Sequence, residues 1–248
     1  MKKTILITRP KRQAQAIANS LQDGGFEVFV ESIFEVNKIN SLSPQLSKIL
    51  SEKQVQALIL TSANAAEVAF ALMENLEINK KIKIFAVGKK TAEKFLAAGY
   101  ENVIFSKVGG AKNLLQLILA NRELKLKKKQ EILLYFCGDF VTMDFQQELQ
   151  EYGYIVEKIP SYKIIENEKF SEDFLAKVKK SNFDFVLLYS QNSAKTFFKL
   201  AKKHNLLEYF QSSRILCLSE KILSVVRDFK FQNSATFDEI SILKNFYE

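Results

Sequence analysis

Scarcity is the first feature of this 248-residue chain: it has no tryptophan, one histidine, two cysteines and three prolines. Cys137 and Cys217 lie far apart, each in or beside an apolar run that reads as a strand. Neither a disulfide framework nor a zinc-binding cysteine pattern is therefore available. His204, the single histidine, excludes multi-histidine metal sites. A Ser-His-Asp triad would have to use it, yet it lies in "AKKHNLLEYF", which reads as a polar helix end. The turns "TRPKRQ" and "VGGAKN" lack the GxGxxG and GxxxxGK[ST] patterns, so nucleotide binding has no motif behind it. Paired carboxylates for glycoside hydrolysis are not evident. No apolar run approaches the roughly 18 residues that a membrane span requires. The opening "MKKTILITRPKR" has only a short apolar run between charges, so the expectation is an unprocessed, cytoplasmic protein with no membrane partner.

Against these absences, 47% hydrophobic and 26% charged residues are ordinary globular composition, enough for one large domain or two small ones. The net charge of +8 and pI near 9.2 favour an anionic partner: nucleic acid, a membrane surface or a polyanionic small molecule. The densest basic run, "RELKLKKK" from Arg122 to Lys129, has no interleaved aromatics and reads as a solvated helix end and loop more readily than as a binding patch.

Short β-rich runs alternate with helical periods throughout. "TILIT" precedes Ala14, Ile17, Ala18 and Leu21; "ALIL" precedes Ala65, Val68, Ala69 and Leu72; "KIFAV" precedes Ala92, Phe95 and Leu96. "EILLYF" precedes Phe145, Leu149 and Tyr152; "FVLLY" precedes Ala194, Phe197, Phe198 and Ala201; "ILCL" precedes Ile222, Val225, Val226 and Phe229. This alternation predicts an α/β protein with parallel sheets covered by helices.

The chain also repeats itself. "VQALILTSANAAEVAF" from Val55 resembles "FDFVLLYSQNSAKTFF" from Phe183, and "ILITRPKRQAQAIANSLQDGGFEV" aligns with "LLYFCGDFVTMDFQQELQEYGYIV", setting Gly25 against Gly153. "KIFAVGKKTAEKFLAAGY" aligns with "RILCLSEKILSVVRDFKF". The extended segments "FVESIFEVNKIN" and "VEKIPSYKIIENE" are too long for one small sheet and suggest two crossings between lobes, with the middle of the chain inserted into a domain made from both ends.

Each strand-to-helix turn exposes unpaired N–H groups that favour an anion. Thr61, Ser62 and Asn64, and in the other copy Ser190, Asn192 and Ser193, have side chains suited either to capping a helix or to donating to a carboxylate. These turns fall at the carboxyl ends of strands, where open α/β sheets bind ligands.

In order and spacing, "ILITRPKRQAQAIANSLQDGGFEV", "LILTSANAAEVAF", "FAVGKKTAEKFLAAGY", "LLYFCGD", "PSYKII" and "LLYSQNSAKTFF" resemble the uroporphyrinogen-III synthase family over nearly the whole chain. The resemblance implies two small lobes, each a parallel sheet flanked by helices in a flavodoxin- or Rossmann-like way, joined by a two-stranded connector with the active site between them. Residues 1–34 and 166–248 would form one lobe, 35–165 the inserted one, with connectors near 30–38 and 157–166. It also implies a cofactor-free and metal-free monomer. Its substrate would be hydroxymethylbilane, cyclised with inversion of the last ring and loss of water. An octacarboxylate suits a basic surface of backbone donors, and loss of a hydroxyl needs a proton donor more than a nucleophile.

By the same resemblance, Tyr162 in "PSYKII" is the candidate proton donor, its other reading being a hinge-packing aromatic. Thr8 and Arg9 match the opening motif, with Arg9 suited to substrate carboxylates. Thr61, Ser62, Asn64, Gly88, Thr91, Gly138, Ser190, Asn192 and Ser193 match turns expected to bind substrate. Two departures stand out. The second "VG" unit reads Ser219, Glu220, Lys221 and Ile222, where Lys221 would substitute by charge, and Thr142 occupies a position where relatives often carry arginine. The competing reading is a two-lobed anion- or nucleic-acid-binding protein without catalysis; excess positive charge on an outer face would favour it, and an enzyme of this family implies no nucleic acid partner.

Overall fold

The computed structural model describes residues 2–39, 44–75, 79–124 and 131–238. Strand β1 (Thr4–Ile7), helix α1 (Lys11–Asp23) and strand β2 (Glu27–Val30) open the chain, followed by β3 (Phe34–Lys38) and α2 (Pro44–Glu52). Next come β4 (Gln54–Leu60), α3 (Ala63–Asn75), β5 (Lys83–Ala86), α4 (Lys89–Ala97), β6 (Val103–Phe105) and α5 (Ala111–Leu119). The chain continues through β7 (Glu131–Gly138), α6 (Phe145–Gln150), β8 (Val156–Glu166) and α7 (Glu172–Lys180). It finishes with β9 (Phe185–Leu188), α8 (Gln191–Lys203), a 3₁₀ turn (Leu207–Phe210), β10 (Arg214–Cys217), α9 (Glu220–Asp228) and β11 (Ser234–Thr236).

Two compact α/β units result: Met1–Val36 with Ile165–Glu248, and Asn37–Ile164. The first holds the sheet β11-β10-β9-β1-β2, the second the order β3-β8-β7-β4-β5-β6, among the described residues. Neighbours within each core sheet pair in parallel. The pair β3 and β8 is antiparallel, because Ile39 N–H donates to the Ser161 carbonyl (2.8 Å) and Asn167 N–H to that of Ile33 (3.0 Å), one strand rising in number as the other falls. Both strands run across the boundary between the units.

The repeat takes a particular form. Read from one edge, the sheets run β2-β1-β9-β10-β11 and β8-β7-β4-β5-β6, and the aligned copies occupy equivalent places: β1 and β2 match β7 and β8, while β9 and β10 match β4 and β5. Each unit therefore combines one piece from each pass of the repeat, in opposite chain order. The first has the flavodoxin-like order, and the second is its circular permutation. Matched glycines confirm the correspondence. Gly25 and Gly153 have φ of +89° and +82°, and each is followed by the same bond, Phe26 N–H to Leu21 O and Tyr154 N–H to Leu149 O, at 3.1 Å in both. This helix-ending turn requires a left-handed residue, which glycine adopts without a Cβ penalty.

Residues of the inner strands are largely buried on both faces, as parallel sheets demand, whereas the edge strands are half-buried or exposed. On β1, Leu6 joins one cluster while Ile5 and Ile7 join the cluster on the opposite face with Ala14, Ile17, Ala18 and Leu21 of α1. On β7, Leu133, Tyr135 and Cys137 share one face with Leu114 and Ile118 of α5 and Phe145 and Leu149 of α6. Full burial of each large apolar side chain contributes roughly 1.5–3 kcal/mol. Of the residues expected at buried helical positions, Phe229 is half-buried and two are exposed: Leu96 is 42% and Tyr152 52% exposed. For Tyr152 the reason is that α6 stops at Gln150, where the turn into Gly153 begins. In the basic run, Arg122 and Glu123 are exposed and Glu123 pairs with Lys83 at 2.6 Å, while Lys125–Lys129 lie outside the described residues.

Candidate active site

In an open α/β sheet, the crevice forms where neighbouring strands send their connections in opposite directions. In the second unit that point lies between β7 and β4: β4 leads through α3 to β5, whereas β7 leads through α6 to β8. A pocket of about 220 Å³ sits there, lined by Thr61 after β4, Tyr135 and Gly138 of β7, Phe140 and Thr142 in the loop that follows, and Tyr162 on β8. Three residues expected from the sequence, Thr61, Gly138 and Tyr162, thus meet in one pocket.

A register shift aims the tyrosine. Cys137 pairs with Pro160 but Gly138 pairs with Tyr162, so Ser161 is an extra residue in β8. Such a bulge re-aims the side chains that follow it. The phenol then lies directly on Gly138, where an added Cβ would stand 2.9 Å from Tyr162 Cζ and 3.1 Å from its hydroxyl oxygen. Gly138, expected to bind substrate, is therefore first a clearance for this ring. The Tyr162 hydroxyl has no hydrogen-bond partner among the described residues.

The loop from Asp139 to Asp144 forms the pocket wall and is fastened at both ends. Asp139 N–H donates to the Tyr162 carbonyl (3.0 Å), and the Tyr135 hydroxyl donates to the Met143 carbonyl (3.2 Å). Asp144 caps α6 by accepting from Gln146 N–H (3.0 Å) and pairs with Lys158 of β8 (2.7 Å). Burial pushes the Asp144 carboxyl upward, but Lys158 and the capped amides outweigh it and hold the group below its ordinary 3.8. Burial raises the Tyr135 phenol above its ordinary range and pushes the Cys137 thiol up to about 11. Cys217 in the first unit is pushed to about 12, again chiefly by burial, so neither thiol is ionised at neutral pH.

The other expected residues are spread along the carboxyl edges of the two sheets. Ser62 Oγ accepts from Ala65 N–H (3.1 Å) as a helix-start cap, and Asn64 is half-buried on the first turn of α3. Gly88 precedes α4, whose Thr91 is only 5% exposed. In the first unit, Thr8 is buried and donates to the Leu187 carbonyl (2.9 Å). Ser190 and Ser193 form a reciprocal capping box on α8, Ser193 N–H to Ser190 Oγ at 3.0 Å and Ser190 N–H to Ser193 Oγ at 2.9 Å. Arg9 lays its guanidinium 3.9 Å from the Tyr189 ring centroid, where β1 and β9 make the equivalent switch point. Asn192 and Lys221 are exposed on the first turns of α8 and α9. His204 caps the end of α8 with its ring 5.7 Å from Phe170. No group of three or more His, Cys, Asp or Glu side chains among the described residues is arranged to hold a metal ion.

Tyr135, Phe140, Val141 and Met143 were not legible as pocket residues. Tyr135 sits in the apolar run "EILLYF" and reads as core, which it also is; the loop residues follow no period.

The sequence profile for uroporphyrinogen-III synthase HemD matches residues 15–242. The structure is similar to that of uroporphyrinogen-III synthetase from Helicobacter pylori 26695, with TM-score 0.60 and 15% identity over 100% of this chain and 98% of the other. It is also similar to a mutant uroporphyrinogen III synthase from the extremely thermophilic bacterium Thermus thermophilus, with TM-score 0.56 and 15% identity over 99% and 97%. At such identity these two likenesses bear on the fold. An uncharacterized protein, RP474, of Rickettsia prowazekii (strain Madrid E) is 44% identical over 72 residues, a match covering 28% of this chain and 26% of that protein's length. With a profile match running through both units, the chain belongs to the uroporphyrinogen-III synthase family, enzymes of heme biosynthesis.

Proposed function

We propose that this protein cyclises hydroxymethylbilane to uroporphyrinogen III with loss of water, with Tyr162 as the proton donor to the departing hydroxyl. The observation that carries the assignment is the Tyr162 hydroxyl, unpartnered among the described residues and set in the switch-point pocket by a β-bulge and by Gly138. Proton transfer to the hydroxyl lets the pyrrole nitrogen expel water. The electron-deficient carbon left behind is attacked by the terminal ring, by way of a spiro intermediate, and the proton lost when aromaticity returns regenerates the phenol. No nucleophilic side chain is required, in keeping with thiols that stay protonated at neutral pH.

Substrate carboxylates are assigned to the helix starts at Ser62 and Asn64, at Gly88 and Thr91, and at Asn192, and to the cations Arg9 and Lys221. One helix start contributes only about 0.3–1 kcal/mol toward a nearby anion, so several must act together. For Thr8, Ser190 and Ser193 the geometry favours structural roles, since their hydroxyls already serve the backbone or each other. Family membership favours this catalytic reading over an anion- or nucleic-acid-binding protein without activity. We assign a cytoplasmic monomer. No helix among the described residues is long and apolar enough to cross a membrane.

Purified protein given freshly made hydroxymethylbilane is expected to yield the type III isomer, resolved chromatographically from the type I isomer of spontaneous closure. Tyr162→Phe is expected to lower turnover by roughly 100-fold with the fold intact. Type I product alone from folded protein would overturn the activity; undiminished turnover by the variant would return Tyr162 to a packing role.

A further inference from the structure

An aromatic ring held out at the rim of the pocket takes no part in the proton transfer. Phe140 is 83% exposed and lines the same pocket as Tyr162. A lone exposed apolar side chain is ordinary; Phe140 differs in where and how it is held. Its own N–H donates to the Asp139 carboxylate (3.0 Å), one residue from the Asp139 bond to the Tyr162 carbonyl. On the other side, Tyr135 fastens Met143. Val141 and Met143 already occupy the core side of the loop, packed against the cluster that contains Tyr135 and Phe145. The backbone therefore fixes an uncovered aromatic face beside the candidate proton donor.

We propose that Phe140 is a substrate-contacting specificity residue, its ring lying against the face of the pyrrole that loses the hydroxyl. The proposal rests on the cyclase reading of this same pocket. At about 220 Å³ the pocket falls below the roughly 300–1,000 Å³ of sites for drug-sized ligands, so it takes one substituted ring and not the whole tetrapyrrole. A pyrrole has apolar, electron-rich faces and bears its carboxylates at the edge. It can stack in offset fashion on a phenyl ring while the acids point outward to N–H donors and cations. Stacking on Phe140 keeps the hydroxymethyl carbon within reach of Tyr162, whose backbone carbonyl holds the same loop.

Phe140→Ala is expected to raise KM for hydroxymethylbilane by about tenfold and to increase the share of type I product, with an unchanged melting temperature because the ring has little packing to lose. Phe140→Tyr, which keeps the aromatic face, is expected to behave as wild type. A KM for Phe140→Ala within about twofold of wild type overturns the proposal. The two readings fail separately. Wild-type protein that makes no type III isomer defeats the cyclase assignment, and fluorescence titration with uroporphyrin III then decides the contact alone. Weaker binding by Phe140→Ala sustains it, whereas equal binding by the two proteins, or none by wild type, overturns it.

Discussion

The carboxyl edges of the two sheets share strand order and related sequence, yet their polar groups are differently employed. Between β1 and β9 of the first unit, Thr8 donates to Leu187, Ser190 and Ser193 cap one another, and Arg9 lies over Tyr189. Between β4 and β7 of the second, Thr61 makes a long contact to the Phe136 carbonyl (3.4 Å) beside the Tyr135 phenol, and Tyr162 reaches the pocket across a glycine. The difference follows from one position. In the second unit, Gly138 ends β7 at the position that the repeat sets against Pro10, and the missing side chain admits the phenol of the neighbouring strand. Similar turns therefore do not make similar sites: whether a hydroxyl faces ligand or backbone depends on what the adjacent strand places above it.

The comparison breaks most sharply at Gly138. Gly138→Ala inserts a Cβ 2.9 Å from the Tyr162 ring and must displace it by several tenths of an ångström or more. Because misplacement of about 1 Å costs on the order of 100-fold, kcat is expected to fall roughly 10- to 100-fold, measured by isomer formation. On a Tyr162→Phe background the same substitution should cost little further, because both changes act through one hydroxyl. Independent, multiplying losses would separate Gly138 from Tyr162.

A smaller effect tests the repeat. Gly99, with φ +79°, ends the helix α4, and its aligned counterpart after α9 is Lys230, held at φ +64°. A left-handed conformation costs a non-glycine residue about 1 kcal/mol, so Lys230→Gly is expected to raise the melting temperature by about 2–4 °C for a protein of this size. An unchanged or lower value would mean that the Lys230 side chain makes compensating contacts.

The smallest effects separate two helix-start carboxylates. Glu31, 4% exposed, accepts from Ser171 N–H (2.7 Å) and Oγ–H (2.6 Å) at the start of α7. Burial nevertheless raises its pKa above the ordinary 4.5. The native state then holds the proton more tightly than the unfolded state, and the group removes stability as pH rises from 4.5 through the native value. Asp144 has the opposite sign: its depressed pKa contributes stability above 3.8 that is lost as pH falls through the native value. Melting curves that span both windows, below 3.8 for Asp144 and above 4.5 for Glu31, should show Glu31→Gln gaining relative to wild type as pH rises through the upper window and Asp144→Asn losing as pH rises through the lower one. Parallel curves for the two variants would contradict both shifts.

Much of this was legible in the chain. The spacing of Ala14, Ile17, Ala18 and Leu21 and the alternation within "TILIT" require only local geometry, since 3.6-residue and two-residue periods assign faces before any tertiary contact forms. Leu96 and Tyr152 mark the limit of that rule, because an apolar residue in register is buried only where a partner covers it. In the candidate site, Tyr162, Thr61 and Gly138 were legible by family resemblance, whereas Phe140 and Tyr135 carry no pattern apart from their surroundings.

By itself the sequence determined the alternation of strands and helices, the duplicated order of its turns and the glycines that end helices, because each depends on residues close in the chain. Tertiary structure alone decided the order of the strands within each sheet, that Ser161 bulges out of β8, and that Tyr162 consequently lies over Gly138. These outcomes depend on which strands pair and in what register, and pairing is settled by the packing of whole helices on both faces of a sheet, at a range that no local period encodes.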